Sequence, residues 1–127
     1  MINEIYNAIY DRVNDQLAQE VFDHVPENHN TFPYIKIEPL ELSPNDSDDK
    51  PGFDGIIQIV TFSRYKGSKQ VSDIALNIYN ALNRYAMADT ASYGFSTIDE
   101  EFSNIITADD GLTRHSIQRF RIFFELL

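Results

Sequence analysis

The last part of the chain alternates apolar and charged residues, and this pattern constrains the fold more than any other. In the stretch "QRFRIFFE", Phe120, Ile122 and Phe124 take one parity of positions, whereas Arg119, Arg121 and Glu125 take the other. Successive side chains of a strand point to opposite faces of a sheet. The strand therefore belongs to a sheet that is covered on one face, and its arginines project from the opposite face.

Two segments have the periodicity of helices that could cover such a sheet. Apolar residues recur at the i, i+3, i+4 and i+7 spacing of an amphipathic helix across residues 2–18. The same spacing appears within "GSKQVSDIALNIYNALNRYA", where Ser68 is a candidate N-cap. The sequence thus predicts two helices, each with one apolar face.

The remaining segments predict strands. Residues 56–64, "IIQIVTFSR", form the most apolar of them, with Ile57 and Ile59 on one face and Ile56 on the other. "EVFDHVP" predicts a short strand, and "YIKIEPLEL" predicts an edge strand with a bulge at its proline.

The C-terminal third of the chain predicts two long strands joined by a tight turn. The turn falls at "DDG", where Gly111 can adopt the positive φ that such hairpins need. Helices and strands in this order predict an α+β fold, in which an antiparallel or mixed β-sheet carries both helices on one face and ends in a long C-terminal β-hairpin.

Length and charge restrict the classes of function. The 127 residues suit one domain, 1–127, and their 43% apolar content suffices for a continuous core. Because 20 acidic side chains face only 10 basic ones, the net charge of −10 argues against binding nucleic acid phosphates or an anionic membrane. The N-terminus lacks the pattern of a signal peptide, so we expect a soluble protein made in the cytoplasm.

No catalytic or cofactor motif is recognisable. The three histidines, His24, His29 and His115, lack a surrounding triad motif, and the five glycines form no phosphate-binding loop. "DSDDKPGFDG" resembles a calcium loop, but Pro51 stands where glycine must make the turn. "DHVPENH" offers zinc ligands on a flexible loop that does not preset tetrahedral geometry. We therefore predict no enzyme, no metal and no cofactor.

Three phrases, in this order and spacing, resemble the tail completion or tail terminator proteins of long-tailed bacteriophages and prophages. They are "VFDHVPENHNTFPYIKI", "IQIVTFSRYKG" and "DDGLTRHSIQRFRIFF". The resemblance implies a virion protein of the tail or neck. It also implies a ring, usually of six subunits, that caps the tail tube and docks the head-side connector or stopper protein, with the chain made in the cytoplasm of a bacterial host. Comparable chains often have an aromatic residue at the position of Phe62, and the family has no catalytic residue.

Such a ring requires contacts with another copy or another virion protein. The predicted contact residues are Arg114, His115, Arg119, Arg121, Ile57, Ile59 and Tyr65. The acidic loop with Asp46, Asp48 and Asp49 is predicted to face the lumen or a partner, since an acidic wall repels DNA phosphates.

Two other interpretations of the sequence remain open. The chain resembles equally small, acidic parts of the same machine, namely a head closure protein or another minor tail protein. A protein of a different class, a monomeric ligand-binding or enzymatic α+β domain, would use the open sheet face as its site. The arginines would then only solvate the exposed face of a strand.

Overall fold

A computed structural model describes the chain over residues 2–46 and 51–127. Over these residues it contains two α-helices, α1 (Ile2–Gln16) and α2 (Lys69–Leu82). The same residues form six β-strands: β1 (Glu20–Phe22), β2 (Tyr34–Ile37), β3 (Glu41–Pro44), β4 (Gly52–Ser63), β5 (Tyr93–Thr107) and β6 (Arg114–Leu126). Neither described helix has the length and apolar content needed to cross a membrane.

The strands form one mixed sheet. Its order is β1-β2-β4-β6-β5, and β3 pairs with the first half of β4 beside β2. β1 and β2 are parallel, whereas the other pairs are antiparallel. The two ends of the order, β1 and β5, are the lateral edges of the sheet. The predicted α+β class, with its C-terminal hairpin, is confirmed.

Both helices cover one face of this sheet, and the core lies between the two layers. α1 contributes Ile5, Ile9 and Val13, and α2 contributes Ile74, Ile78 and Leu82. Beneath them lie the apolar residues of the strands: Ile35, Ile37, Ile57, Ile59, Ile98, Phe120, Ile122 and Phe124. Burial of these side chains is the main favourable term in the folding of the domain. The face opposite the helices has no such layer among the described residues.

The α1 helix is fastened to the sheet by two tyrosines as well as by its apolar face. The Tyr6 hydroxyl donates to the Ile37 carbonyl oxygen at 3.0 Å, and the Tyr10 hydroxyl donates to that of Val21 at 2.7 Å. Burial is the main cause that raises the pKa of Tyr6 to about 12. Each ring therefore adds apolar contact area while its polar tip is satisfied at the edge of the core.

The segment predicted as one bulged edge strand is two strands. Pro39 lies between β2 and β3, and both strands pair with β4, β2 along Ile59–Phe62 and β3 along Phe53–Ile56. β2 is internal, because β1 covers its other side. The strand predicted at residues 56–64 begins earlier, at Gly52, where a Cβ atom would collide with the Asn45 carbonyl oxygen.

The turn of the C-terminal hairpin is confirmed. Gly111 has a φ of +71°, and the Gly111 amide donates to the Ala108 carbonyl oxygen at 2.9 Å. Ser68, in contrast, makes no side-chain capping bond at the start of α2. The Ser68 carbonyl oxygen instead accepts the first bond of the helix from the Ser72 amide at 2.9 Å.

Candidate interaction surface

The face of the sheet opposite the helices, which we call the open face, carries two of the predicted arginines. Register places Arg119 across from Gln58 and Arg121 across from Ile56, whereas Phe120 lies across from Ile57 on the covered face. The alternation of the last strand therefore orients its arginines as predicted, with both exposed and Phe120 fully buried.

Neighbouring side chains hold the two guanidinium groups in place. Arg119 Nε donates to Gln58 Oε1 at 2.9 Å, and its guanidinium carbon lies 4.8 Å from the centre of the Phe102 ring. Arg121 Nη2 lies 3.3 Å from Asp54 Oδ2. Its side chain is 58% exposed, so the charge stays available to a partner. The open face thus presents ordered donors rather than freely moving side chains.

The other predicted contact residues lie at the end of the sheet where β4 ends and β6 begins. Arg114 Nη1 donates to the Tyr65 carbonyl oxygen at 3.3 Å, which joins the turn after β4 to β6. The Tyr65 side chain is 58% exposed. Next to them, the His115 ring packs 4.6 Å from the Phe62 ring. The structure therefore divides the predicted surface into a central arginine pair and a terminal group.

An aromatic cluster extends from this terminal group across the open face. Its members are Phe22, His29, Phe32, Tyr34, Phe62 and His115. Tyr34 lies at its centre, stacked 4.8 Å from Phe62, and burial raises the pKa of the Tyr34 phenol. At the rim, the Arg64 guanidinium carbon lies 4.3 Å from the centre of the Phe32 ring. Packed rings with a cationic rim are typical of protein contact surfaces.

The open face also contains a concavity, which we call the trough. It has a volume of about 530 Å³. Its lining residues are Glu38, Pro39, Glu41, Ile56, Gln58, Glu101 and Arg119. Three carboxylates and one guanidinium therefore surround a floor made by two β4 side chains. Glu38 is paired with Lys36 at 3.3 Å, whereas Glu41 and Glu101 are exposed and have no ion-pair partner within the described part of the chain.

A family comparison identifies the kind of protein to which this surface belongs. The model of the family described as tail completion protein gp17 matches residues 6–125, nearly the whole chain. The chain belongs to this family. The resemblance inferred from the sequence is thereby confirmed, and the tail completion protein is a structural component of a virion.

Solved structures share the fold of this tail completion protein. A chain from the virion of a native gene transfer agent particle matches with a TM-score of 0.84 and 14% sequence identity, covering 97% of this chain and 96% of that chain. A second solved chain matches with a TM-score of 0.56 and 11% identity, covering 98% and 92% of the two chains. No curated protein sequence matches the chain.

The structure corrects the prediction for two residues of the tail completion protein. Ile57 and Ile59 are fully buried beneath the helices, so they are core residues and not contact residues. The prediction assigned these two residues to the wrong face of β4. Ile57 faces Phe120 across the ladder, whereas the residue beside Arg119 is Gln58. The β4 side chains that accompany the arginines are therefore Ile56, Gln58 and Val60.

The acidic loop is described only in part. Asp46 is exposed, and its Oδ1 accepts a hydrogen bond from the Gly52 amide at 3.2 Å. Asp48 and Asp49 lie outside the described residues. Within the described part of the chain, no group of three histidines or acids is arranged to hold a metal ion.

The aromatic cluster and the trough could not be predicted from the sequence. The cluster unites residues from β1, β2, β4, β6 and the loop before β2, and no local spacing relates these segments. His29, considered as a zinc ligand, instead packs 4.7 Å from Tyr34 with its Nε2 2.8 Å from the Thr31 carbonyl oxygen. The density of aromatic residues, 13% of the chain, was the one available signal.

Proposed function

We propose that this tail completion protein forms a ring that caps the tail tube and joins the tail to the head-side connector. The observation that carries the proposal is the family match over residues 6–125. The fold shared with a chain of a gene transfer agent virion supports it. The role is mechanical: the chain supplies surfaces for other virion proteins and no catalytic group.

A closed ring of identical subunits needs two different patches on each subunit, because its interfaces are heterologous. The chain offers such patches on the open face and at the end of the sheet. On the open face we propose that Arg119 and Arg121 contact a neighbouring copy or another virion protein. At the end of the sheet, Arg114, His115 and Tyr65 form the second contact region. The arginines of the open face lie in the middle of β6, whereas Arg114 and His115 lie at its start, next to Tyr65 in the turn after β4.

The negative charge of each subunit opposes the assembly of such a ring. Six copies, each with a formal charge of −10, together carry −60. Repulsion of this size opposes assembly unless the seams bury apolar surface and pair opposite charges. A standard contact buries roughly 800 Å² per partner. Half-buried apolar residues of the open face, such as Ile56, Ile117 and Phe123, are suited to supply part of this area.

We also propose that the acidic loop with Asp46, Asp48 and Asp49 faces the bore of the ring. DNA leaving the head passes through a tail bore, and negative charge on the wall prevents phosphates from binding to it. The exposure of Asp46 supports the part of this proposal that concerns the described residues.

Electron microscopy of particles made without the protein tests the proposed function. A tube that is not capped continues to polymerise, so we expect overlong tails and heads that lack tails. Loss of a head closure protein would instead give tails of normal length and heads that have lost their DNA. Particles of normal appearance would contradict both roles.

A further inference from the structure

The turn that follows β4 presents two side chains that bond to no other residue in the described part of the chain, on a backbone held by hydrogen bonds. We call residues Arg64, Tyr65 and Lys66 the basic turn. Arg64 Nε donates to Thr113 Oγ1 at 3.1 Å, and the Tyr65 amide donates to Ser63 Oγ at 3.2 Å. These bonds, with that from Arg114 to the Tyr65 carbonyl oxygen, fix the path of the turn. The phenol of Tyr65 and the ammonium of Lys66 project into solvent, because both residues are exposed.

The trough has the complementary chemistry. Its carboxylates at Glu41 and Glu101 are exposed and form no ion pair with any residue that the structure describes, while Arg119 is engaged by Gln58 and Phe102. A volume of about 530 Å³ lies within the range of pockets that hold a side chain or a small molecule. The floor is made partly by Ile56, which is apolar and half-buried. An occupant with an aromatic ring and a cationic group would satisfy both the floor and the rim.

The basic turn cannot fill the trough of its own chain. Gln58, in the floor, and Arg64, in the turn, are separated by six positions along the extended strand β4 and its end, which corresponds to roughly 20 Å. The turn lies beyond the end of the strand, whereas the trough lies on the open face. A second copy can bring them together. Repeating one such contact around an axis gives the heterologous seam that a ring requires.

We propose that Tyr65 and Lys66 of one copy insert into the trough of the next copy, with Lys66 between Glu41 and Glu101. This inference rests on the proposed ring. It identifies which two surfaces meet at each seam, and it places one of the few cations of an acidic chain where it offsets repulsion between copies. The partner is a second copy because the required aromatic and cationic groups are adjacent in this chain and ordered by their own backbone.

Thiol crosslinking in assembled particles tests the contact directly, because the chain has no cysteine. A Lys–Glu ion pair usually holds its Cα atoms farther apart than the roughly 7 Å that a disulfide can bridge, so a bismaleimide crosslinker with a short spacer is used. The variants Glu41→Cys/Lys66→Cys and Glu101→Cys/Lys66→Cys place one cysteine in each half of the seam. We expect at least one of them to give a ladder of covalent multimers on denaturing gels, and omission of the crosslinker should abolish the ladder.

The matched control keeps the trough cysteine and moves the other. In Glu41→Cys/Asn7→Cys the second cysteine lies on the exposed side of α1, so no ladder is expected. The inference would be overturned if neither test variant, once incorporated into particles, gave covalent multimers. A ladder of equal intensity from the control variant would also overturn it. Neither result depends on tail length, so failure of this inference is distinguishable from failure of the proposed function.

Charge reversal supplies an independent test. Lys66→Glu should lower incorporation into particles about tenfold, because it places a third carboxylate against Glu41 and Glu101. Adding Glu41→Lys to the same chain exchanges the two charges of the seam and should restore incorporation. Both variants should unfold at the same temperature as the parent. If Lys66→Glu then enters particles as well as the parent, or if the double variant does not recover incorporation, the proposed pairing is contradicted.

Discussion

Asp110 shows how one side chain determines the turn of the C-terminal hairpin. Its Oδ1 accepts bonds from the amides of Leu112 and Thr113, both at 2.8 Å, and its Oδ2 accepts the Thr113 hydroxyl at 2.7 Å. Bonds from Thr113 are the main cause that lowers the pKa of Asp110 to about 2. The turn residues "DDG" were recognised from the sequence, because Asp and Gly favour turns for local reasons.

The Asp110 bonds predict a pH dependence of stability. Its folded pKa of about 2 lies below the ordinary value of 3.8, so the ionised side chain favours the folded state. The contribution is complete above about pH 4 and is lost as the pH falls through the folded pKa. Acid unfolding should therefore be less steep between about pH 4 and pH 2 in Asp110→Ala than in the parent. Asp109→Ala, a change at the neighbouring turn position, is the control, and equal pH profiles for all three proteins would contradict this role.

At the scale of helices and strands, the periodicity of apolar residues predicted the features that local sequence determines, namely the positions of the helices and the faces of a strand. The helical spacing located α1 and α2, and the alternation of β6 oriented its arginines. Pairing between distant segments could not be predicted in this way. The parallel pairing of β1 with β2 and the shared use of β4 by two strands depend on contacts across the sheet. Whether Ile57 or Gln58 lies beside Arg119 also depends on the register between β4 and β6. This dependence explains why Ile57 was assigned to the wrong face of the sheet.

Two adjacent β4 residues provide a test of which face is covered. Ile57 is fully buried in the core, whereas Ile56 is half-buried on the open face. Ile57→Ala should lower the free energy of unfolding by about 2–5 kcal/mol, because it leaves a cavity among packed side chains. Ile56→Ala should cost about 1 kcal/mol. Urea unfolding of the isolated chain measures both, and equal costs would contradict the layer arrangement.

The edge strand β5 differs along its length. Its outer edge is bonded at Ile98, whose carbonyl oxygen accepts the Arg84 amide at 2.7 Å, and at Glu100, whose amide donates to Asn83 Oδ1 at 2.9 Å. Residues 101–107 are all exposed, including Phe102 and Ile106 at about 40%. Exposed edges with apolar side chains are sites of association. The exposed second half of β5, residues 101–107, borders the trough at Glu101, which is consistent with a partner on that side of the molecule.

At the scale of the whole molecule, the chain is a half-covered sheet with a net charge of −10. The helix layer encloses the core on one face of the sheet, and the open face leaves this virion protein surface for partners. The three resembling phrases predicted the family, whereas the trough and the aromatic cluster required the assembled sheet. Both unite segments that lie far apart in the sequence.

The acidic loop predicts a further property of the assembled particle. In the proposed ring, where the acidic loop faces the bore, reversing Asp46, Asp48 and Asp49 to lysine should slow DNA ejection, because a cationic wall attracts the phosphates that pass it. Fluorescence of a dye that binds released DNA follows the rate. Reversal of Asp11 and Asp15, exposed on α1, together with Asp73, exposed on α2, gives the same change of charge away from the loop. An unchanged rate of DNA ejection in the loop variant would contradict the proposal that the loop faces the bore.

The central claim, that another virion chain completes the open face, is tested most directly by measuring how much Arg119→Glu/Arg121→Glu protein enters purified particles. Both side chains point away from the core, so the variant should fold like the parent. It should be depleted from particles at least tenfold relative to Arg84→Glu, a reversal of an exposed charge after α2. Incorporation of the double variant at the level of the parent would contradict the account.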